Sequence, residues 1–176
     1  EGIAAGDVVA LVMDNRPEFL TIFTALSRSG AVAALINTQL RRDALQHALG
    51  VCRAKLVIAG SEHAERVLAA ASGLPGFVPD KRLVVQCDGS GAAPPGRRVL
   101  DEELARGDAG IPVVEHPGRM SDVCCYVYTS GTTGLPKAAV IRNQRMLGGG
   151  ITFGHLMHRA APGDLIYVAL PLYHSS

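Results

Sequence analysis

The stretch Tyr128-Thr129-Ser130-Gly131-Thr132-Thr133-Gly134-Leu135-Pro136-Lys137 gathers hydroxyls, flexible backbone and one cation where a folded domain usually packs apolar side chains. Thr129, Ser130, Thr132 and Thr133 each offer a hydroxyl donor, and Gly131 and Gly134 let main-chain N–H groups approach an anion closely. Lys137 adds positive charge at the rim. Together these groups suit a phosphate. A solvated turn could carry the same composition, so the order of residues around the loop decides between the two.

Before the loop, Val123-Cys124-Cys125-Tyr126-Val127-Tyr128 is a run of β-branched, aromatic and small apolar residues that predicts a buried strand. After it, Ala138-Ala139-Val140-Ile141 predicts a second strand. A Walker loop needs Gly-Lys-Ser/Thr followed by a helix whose N-terminus faces the phosphates. Here Pro136 precedes Lys137, Ala138 brings no hydroxyl for a magnesium ion, and the following residues are strand-like. Pro136 fixes its own φ and holds Leu135 extended, stiffening the exit from the loop. The expectation is a strand-loop-strand phosphate clasp.

That pattern resembles the signature of the adenylate-forming enzymes, which include acyl-CoA synthetases, adenylation domains of peptide synthetases and luciferases. The resemblance implies that residues 129–133 contact the β- and γ-phosphates of ATP while a carboxylate attacks the α-phosphorus, giving an acyl-adenylate and pyrophosphate. It implies cofactor-binding roles for Thr129, Ser130, Gly131, Thr132, Thr133, Gly134 and Lys137, a catalytic role for Lys137, and Thr129 as a ligand of Mg²⁺. Preorganised donors and a cation are what developing charge on a departing pyrophosphate requires. Residues 164–170 predict a further apolar strand, ending in Pro171-Leu172-Tyr173-His174. Its Leu-Pro-Leu-Tyr-His run resembles another motif of the family, which implies that His174 is catalytic and lies near the substrate carboxylate. Without the resemblance, a lone His after a strand reads as a turn residue.

The elements that position these groups follow from alternating patterns. Residues 7–13 predict a first strand closed by Asp14 and Asn15, and Pro17 opens a helix whose Phe19, Ile22, Phe23 and Leu26 recur on one face before Gly30 ends it. Residues 31–36, 55–59 and 82–87 predict strands, separated by helices that carry Leu45, Ala48 and Leu49, then Val67 and Leu68. Strands alternating with helices of this length predict an α/β fold, a mostly parallel sheet with helices on its faces. Residues 88–96 read as an exposed loop, and 101–106 as a short exposed helix with solvated Glu102 and Glu103. A helix is predicted over 143–159, and the glycines at 148–150 within it read as room for close packing at a pocket, or as a frayed or late-starting helix.

At 176 residues the chain has the size of one domain, but it opens at Glu1 and closes just after the second motif, so it is expected to be part of something longer. By resemblance it is part of the large N-terminal AMP-binding domain of an acyl-CoA synthetase-like fold, with α/β layers over 1–118 and the clasp hairpin, helix and acyl-site strand over 119–176. The resemblance further implies that the small C-terminal domain lies outside these residues, and the chain alone is expected to be inactive. A net charge of +1 gives no footprint for nucleic acid. No apolar run reaches the ~20 residues of a membrane helix. Cys52, Cys87, Cys124 and Cys125 lack metal-ligand spacing, and His155 with His158 has no acidic or Cys companion nearby. Neither a Gly-x-Ser-x-Gly elbow nor a dinucleotide Gly-x-Gly-x-x-Gly is present.

Within the family, Gly6-Asp7-Val8-Val9-Ala10-Leu11, Asn15-Arg16-Pro17-Glu18-Phe19 and Ala33-Ala34-Leu35-Ile36-Asn37-Thr38 are most similar to fatty acid transport proteins and very-long-chain acyl-CoA synthetases. The resemblance implies a long- or very-long-chain fatty acid as substrate, with ATP, Mg²⁺ and CoA, in a cytoplasmic or peripheral-membrane protein. Two alternatives stay open: an adenylation domain that loads another acid onto a carrier, and a binding or transport module that keeps the clasp without catalysis.

Overall fold

In the first strand, β1 (Val8–Val12), every side chain from Val9 on is buried, yet alternate residues serve different layers. Val9 and Leu11 join Met13, Phe19 and Ile22 in one apolar cluster, whereas Ala10 and Val12 join Leu45, Leu49 and Val67 in another. This is the period-2 alternation of a strand covered by helices on both faces. The computed structural model describes residues 2–87, 91–107, 110, 118–130 and 135–174, apart from the side chain of Ser130.

The elements run β1, α1 (Pro17–Arg28), β2 (Val32–Leu35), α2 (Arg42–Val51), β3 (Leu56–Gly60), a 3₁₀ turn (Ser61–His63), α3 (Ala64–Ala71), α4 (Pro79–Arg82), β4 (Leu83–Gln86), β5 (Arg98–Val99), α5 (Leu100–Arg106), β6 (Val123–Ser130), β7 (Pro136–Arg142) and α6 (Asn143–Gly149). They form a 7-stranded sheet of order β5-β4-β3-β1-β2-β6-β7. All neighbours are parallel except β6 and β7. The predicted fold class is therefore observed, and the clasp strands extend the same sheet through the pairing of β2 with β6.

The strand order doubles back at β1, with β2 on one side and β3 on the other. In open α/β sheets such a switch point opens a crevice at the carboxyl ends of the strands, where ligands bind. The α1 helix reaches this arrangement through Pro17 at its start and a left-handed Gly30, φ +73°, just past its end. A Cβ at Gly30 would lie 3.0 Å from that of Ala5, so both conformation and space favour glycine.

Four expectations change. Residues 164–170 are not a strand: no described strand lies beside them, and Leu165 and Tyr167 are 100% and 91% exposed. An apolar run becomes a strand only where a neighbour takes its N–H and C=O groups. Helix α6 starts at Asn143 as expected but continues from Gly150 to Met157 as π-helical turns. The run of glycines there supplies little α propensity. Its glycines also do not mark close packing, since a Cβ added at Gly148, Gly149, Gly150 or Gly154 meets nothing within 4 Å. At residues 98–103, Arg98 binds Glu103 through a two-point contact at 2.7 and 2.8 Å, which holds the Glu103 carboxyl below its ordinary pKa.

Candidate functional site

Strands β6 and β7 carry the described residues among those expected to hold phosphate, Thr129, Ser130 and Lys137. Its register pairs Tyr128 with Ala138, Thr129 with Lys137 and Ser130 with Pro136. Alternation then separates two faces. Tyr128 is buried against α2, where its Oη donates to the Ala48 carbonyl at 2.9 Å, and burial pushes its phenol pKa up. Thr129 and Lys137 are directly opposite one another on the other face, and both are exposed. Among the described residues neither the Thr129 hydroxyl nor the Lys137 ammonium has a side-chain partner, so no carboxylate neutralises the lysine there. Gly131, Thr132, Thr133 and Gly134 lie outside the described residues.

That second face is also the face of α1. Cys125 and Val127, which alternate with Tyr126 and Tyr128, join the α1 cluster, and so do Tyr173 and Leu172 of the second motif. A β-bulge between Val123 and Cys125 inserts Cys124, so that both cysteines enter this cluster. The two adjacent thiols act on one another, which lowers the Cys124 pKa and, together with burial, raises that of Cys125. Tyr173 is 8% exposed and anchors the second motif on the face that carries Thr129 and Lys137. His174 is exposed at the end of a turn in which its N–H donates to the Pro171 carbonyl at 3.0 Å.

The carboxyl edge of the sheet holds a polar network that the sequence patterns did not reveal. Asp14 follows β1, Thr38 follows β2, Glu62 and His63 follow β3, and Gln86 ends β4. Thr38 Oγ1 donates to Asp14 Oδ1 at 2.9 Å, the Asp14 N–H donates to Glu62 at 3.2 Å, and His63 Nε2 lies 3.1 Å from Asp14 Oδ1. Arg16 pairs with Glu62 at 2.5 Å and donates to Gln86 at 3.2 Å. Burial raises the Asp14 carboxyl, but the close His63 ring, the hydrogen bond from Thr38 and the nearby Arg16 charge outweigh it and leave the pKa below the ordinary range. The shared signal is position: each of these residues stands at the carboxyl end of a parallel strand, beside the switch point.

Ligand atoms of Asp14, Glu62 and His63 come within 4.8 Å of one another, close enough for a metal ion. The surroundings argue otherwise. Arg66 Nη2 is 2.8 Å from His63 Nδ1, and a guanidinium only donates, so Nδ1 accepts and the ring proton sits on Nε2, facing Asp14. A metal on Nε2 would displace that proton while Arg66 still occupied Nδ1, and Arg16 already neutralises Glu62. The cluster is an ion network that fixes the turn after β1. His155 and His158 do not form a metal-ligand group with any described residue.

A family model described as AMP-binding enzyme matches residues 1–176. The chain belongs to the AMP-binding enzyme family. Among its relatives, long-chain fatty acid transport protein 1 of Rattus norvegicus is 40% identical over 179 residues, covering 99% of this chain and 27% of that protein. A medium/long-chain-fatty-acid–CoA ligase of Mycobacterium tuberculosis is 31% identical over 179 residues, covering 99% of this chain and 27% of the ligase. The crystal structure of the anthranilate CoA ligase AuaEII in complex with anthranoyl-AMP superimposes with a TM-score of 0.74 at 25% identity, covering 88% of this chain and 28% of that one. This member of the AMP-binding family thus spans 27% of the length of each of these two curated relatives, and a fatty acid transport protein, the group its N-terminal segments resemble, is one of them.

Proposed function

We propose that this chain forms the phosphate-facing and acyl-facing part of an ATP-dependent fatty acid–CoA ligase that works through an acyl-adenylate. The acid's carboxylate oxygen bonds to the α-phosphorus of ATP as the bond to pyrophosphate breaks. The thiol of CoA then attacks the acyl carbon and expels AMP. In this account the hydroxyls of Thr129, Ser130, Thr132 and Thr133 and the main chain at Gly131 and Gly134 receive the β- and γ-phosphates. Lys137 offsets the charge that builds on the leaving pyrophosphate, and His174 lies beside the acid's carboxylate. Mg²⁺ binds through a few protein oxygens together with phosphate and water oxygens, and the exposed Thr129 hydroxyl fits that donor set. When bound there it would neutralise phosphate charge.

The observation that carries the proposal is the cross-strand pair Thr129–Lys137, a hydroxyl and an ammonium that no carboxylate among the described residues neutralises, held opposite each other in the β6–β7 pairing. A long-chain acid is favoured by the names of the relatives, a fatty acid transport protein and a medium/long-chain-fatty-acid–CoA ligase. No helix among the described residues is long and apolar enough to cross a membrane. Peripheral association with a lipid surface, where such an acid partitions, belongs to the same proposal.

The test is acid-dependent exchange of labelled pyrophosphate into ATP by the full-length protein, run with fatty acids of increasing length and with aryl and amino acids. Exchange rising with long-chain fatty acids supports the proposal. Exchange only with aryl or amino acids would turn it to the carrier-loading alternative, and none with any acid would leave the binding or transport alternative.

A further inference from the structure

Asn15 lies in the turn after β1, and its side chain reaches a segment more than 150 positions away. Its Nδ2 donates to the Leu170 carbonyl at 2.9 Å, and its Oδ1 accepts from the Leu172 N–H at 2.8 Å. Only one orientation of the amide satisfies both partners, so the donor and acceptor ends are fixed. The two main-chain groups flank Pro171. In a parallel ladder, one residue donates to the carbonyl before its neighbour and accepts from the N–H after it. The Asn15 amide reproduces that pattern and acts as a single step of strand pairing, for a segment that has no described strand beside it. Pro171 suits the middle position, because the missing N–H is not one of the two groups used.

The base of this bracket is rigid. Asp14 on one side is tied to Thr38, His63 and Glu62, and Arg16 on the other is tied to Glu62 and Gln86. The turn is thereby fastened to the ends of β2, β3 and β4. On the far side of the bracket, Leu172 and Tyr173 pack into the α1 cluster. His174 is next in sequence and is held by the same turn.

We infer that Asn15 is a positioning residue that holds the Pro171–His174 turn at the carboxyl edge of the sheet, and that the polar network around Asp14 exists to aim it. Its kinetic consequence rests on the adenylation proposed above. Loss of the bracket should harm the step that needs the acid's carboxylate in place and leave ATP binding at the hairpin alone.

The experiment uses the full-length protein, its Asn15→Ala and Asn15→Asp variants, and two readouts. The first is hydrogen exchange of the Leu172 amide. It should accelerate about tenfold or more in Asn15→Ala, and less in Asn15→Asp, which keeps the acceptor but sets a carboxylate oxygen against the Leu170 carbonyl. The second is acid-dependent pyrophosphate exchange, in which kcat should fall at least tenfold in both variants with KM for ATP changed less than twofold. Unchanged Leu172 exchange in Asn15→Ala overturns the bracket. Faster amide exchange with unchanged kcat overturns the positioning role, as does an equal loss in kcat and ATP affinity. A parent inactive with every acid, but with Leu172 protection that depends on Asn15, rejects the adenylation proposal and leaves the bracket standing.

Discussion

Replacing Tyr128 by Phe should destabilise the chain far more than deletion of one surface hydroxyl would. Helix α2 ends at Val51, so the carbonyls of its last turn lack intrahelical partners and must be satisfied from outside. The Cys52 thiol contacts the Leu49 carbonyl at 3.3 Å, the Arg53 N–H donates to Gly50 at 3.2 Å, and Tyr128 Oη serves Ala48 at 2.9 Å. Ala48 is fully buried and Tyr128 is 6% exposed, so no water replaces the lost hydroxyl. The cost is therefore that of an unsatisfied buried acceptor, about 1–3 kcal/mol, and not the smaller net value of an exchangeable hydrogen bond. At about 2–4 °C per kcal/mol for a chain of this size, a central value of about 2 kcal/mol lowers Tm by about 4–8 °C. Thermal unfolding followed by circular dichroism measures it, with Tyr126→Phe as the control, since Tyr126 is only partly buried and its hydroxyl has no hydrogen-bond partner among the described residues. A Tm within about 1 °C of the parent for Tyr128→Phe would refute the argument that the clasp strand caps α2.

Asp7 accepts a hydrogen bond from the Ala4 N–H at 2.7 Å and pairs with Lys55 at 2.6 Å, and these contacts lower its pKa. The stability it contributes is present above the unfolded value near pH 4 and is lost as pH falls through the depressed folded value. Asp7→Asn should thus flatten the Tm profile below about pH 4, and an acid limb identical to the parent's would exclude Asp7 from it. Gly148→Ala, in a helix position with open space around the added methyl, should stabilise by up to about 1 kcal/mol. A fall in Tm would show that a packed surface covers Gly148 in solution.

Local patterns carried the sheet. The apolar runs at β1, β3 and β6 and the Phe19, Ile22 stripe of α1 declare themselves within a few residues, and the two strands that flank the Thr/Ser/Gly loop, β6 and β7, stand where their apolar runs predict them. Groups that meet across long sequence separations were not legible. Asp14 with Thr38, Arg16 with Gln86 and Asn15 with Leu170 join through topology, and nothing in their immediate neighbourhoods marks them. Residues 164–170 failed in the opposite direction, because β propensity describes fit to a paired, half-buried surface and cannot supply the partner. The π turns after Gly149 have no pattern that distinguishes them from α turns.

If Lys137 meets phosphate charge beside the β6–β7 pairing, its ammonium acts on the leaving pyrophosphate. The direct measurement is fatty-acid-dependent pyrophosphate exchange by full-length protein carrying Lys137→Ala, with Tm recorded alongside. Removing one group that stabilises charge in the transition state costs roughly 10²–10³ in rate, and an exposed Lys contributes little packing. Lys137→Ala should therefore lose about a hundredfold in rate with Tm essentially unchanged. Equal rates for variant and parent, or a Tm loss the size of a core substitution, would contradict it.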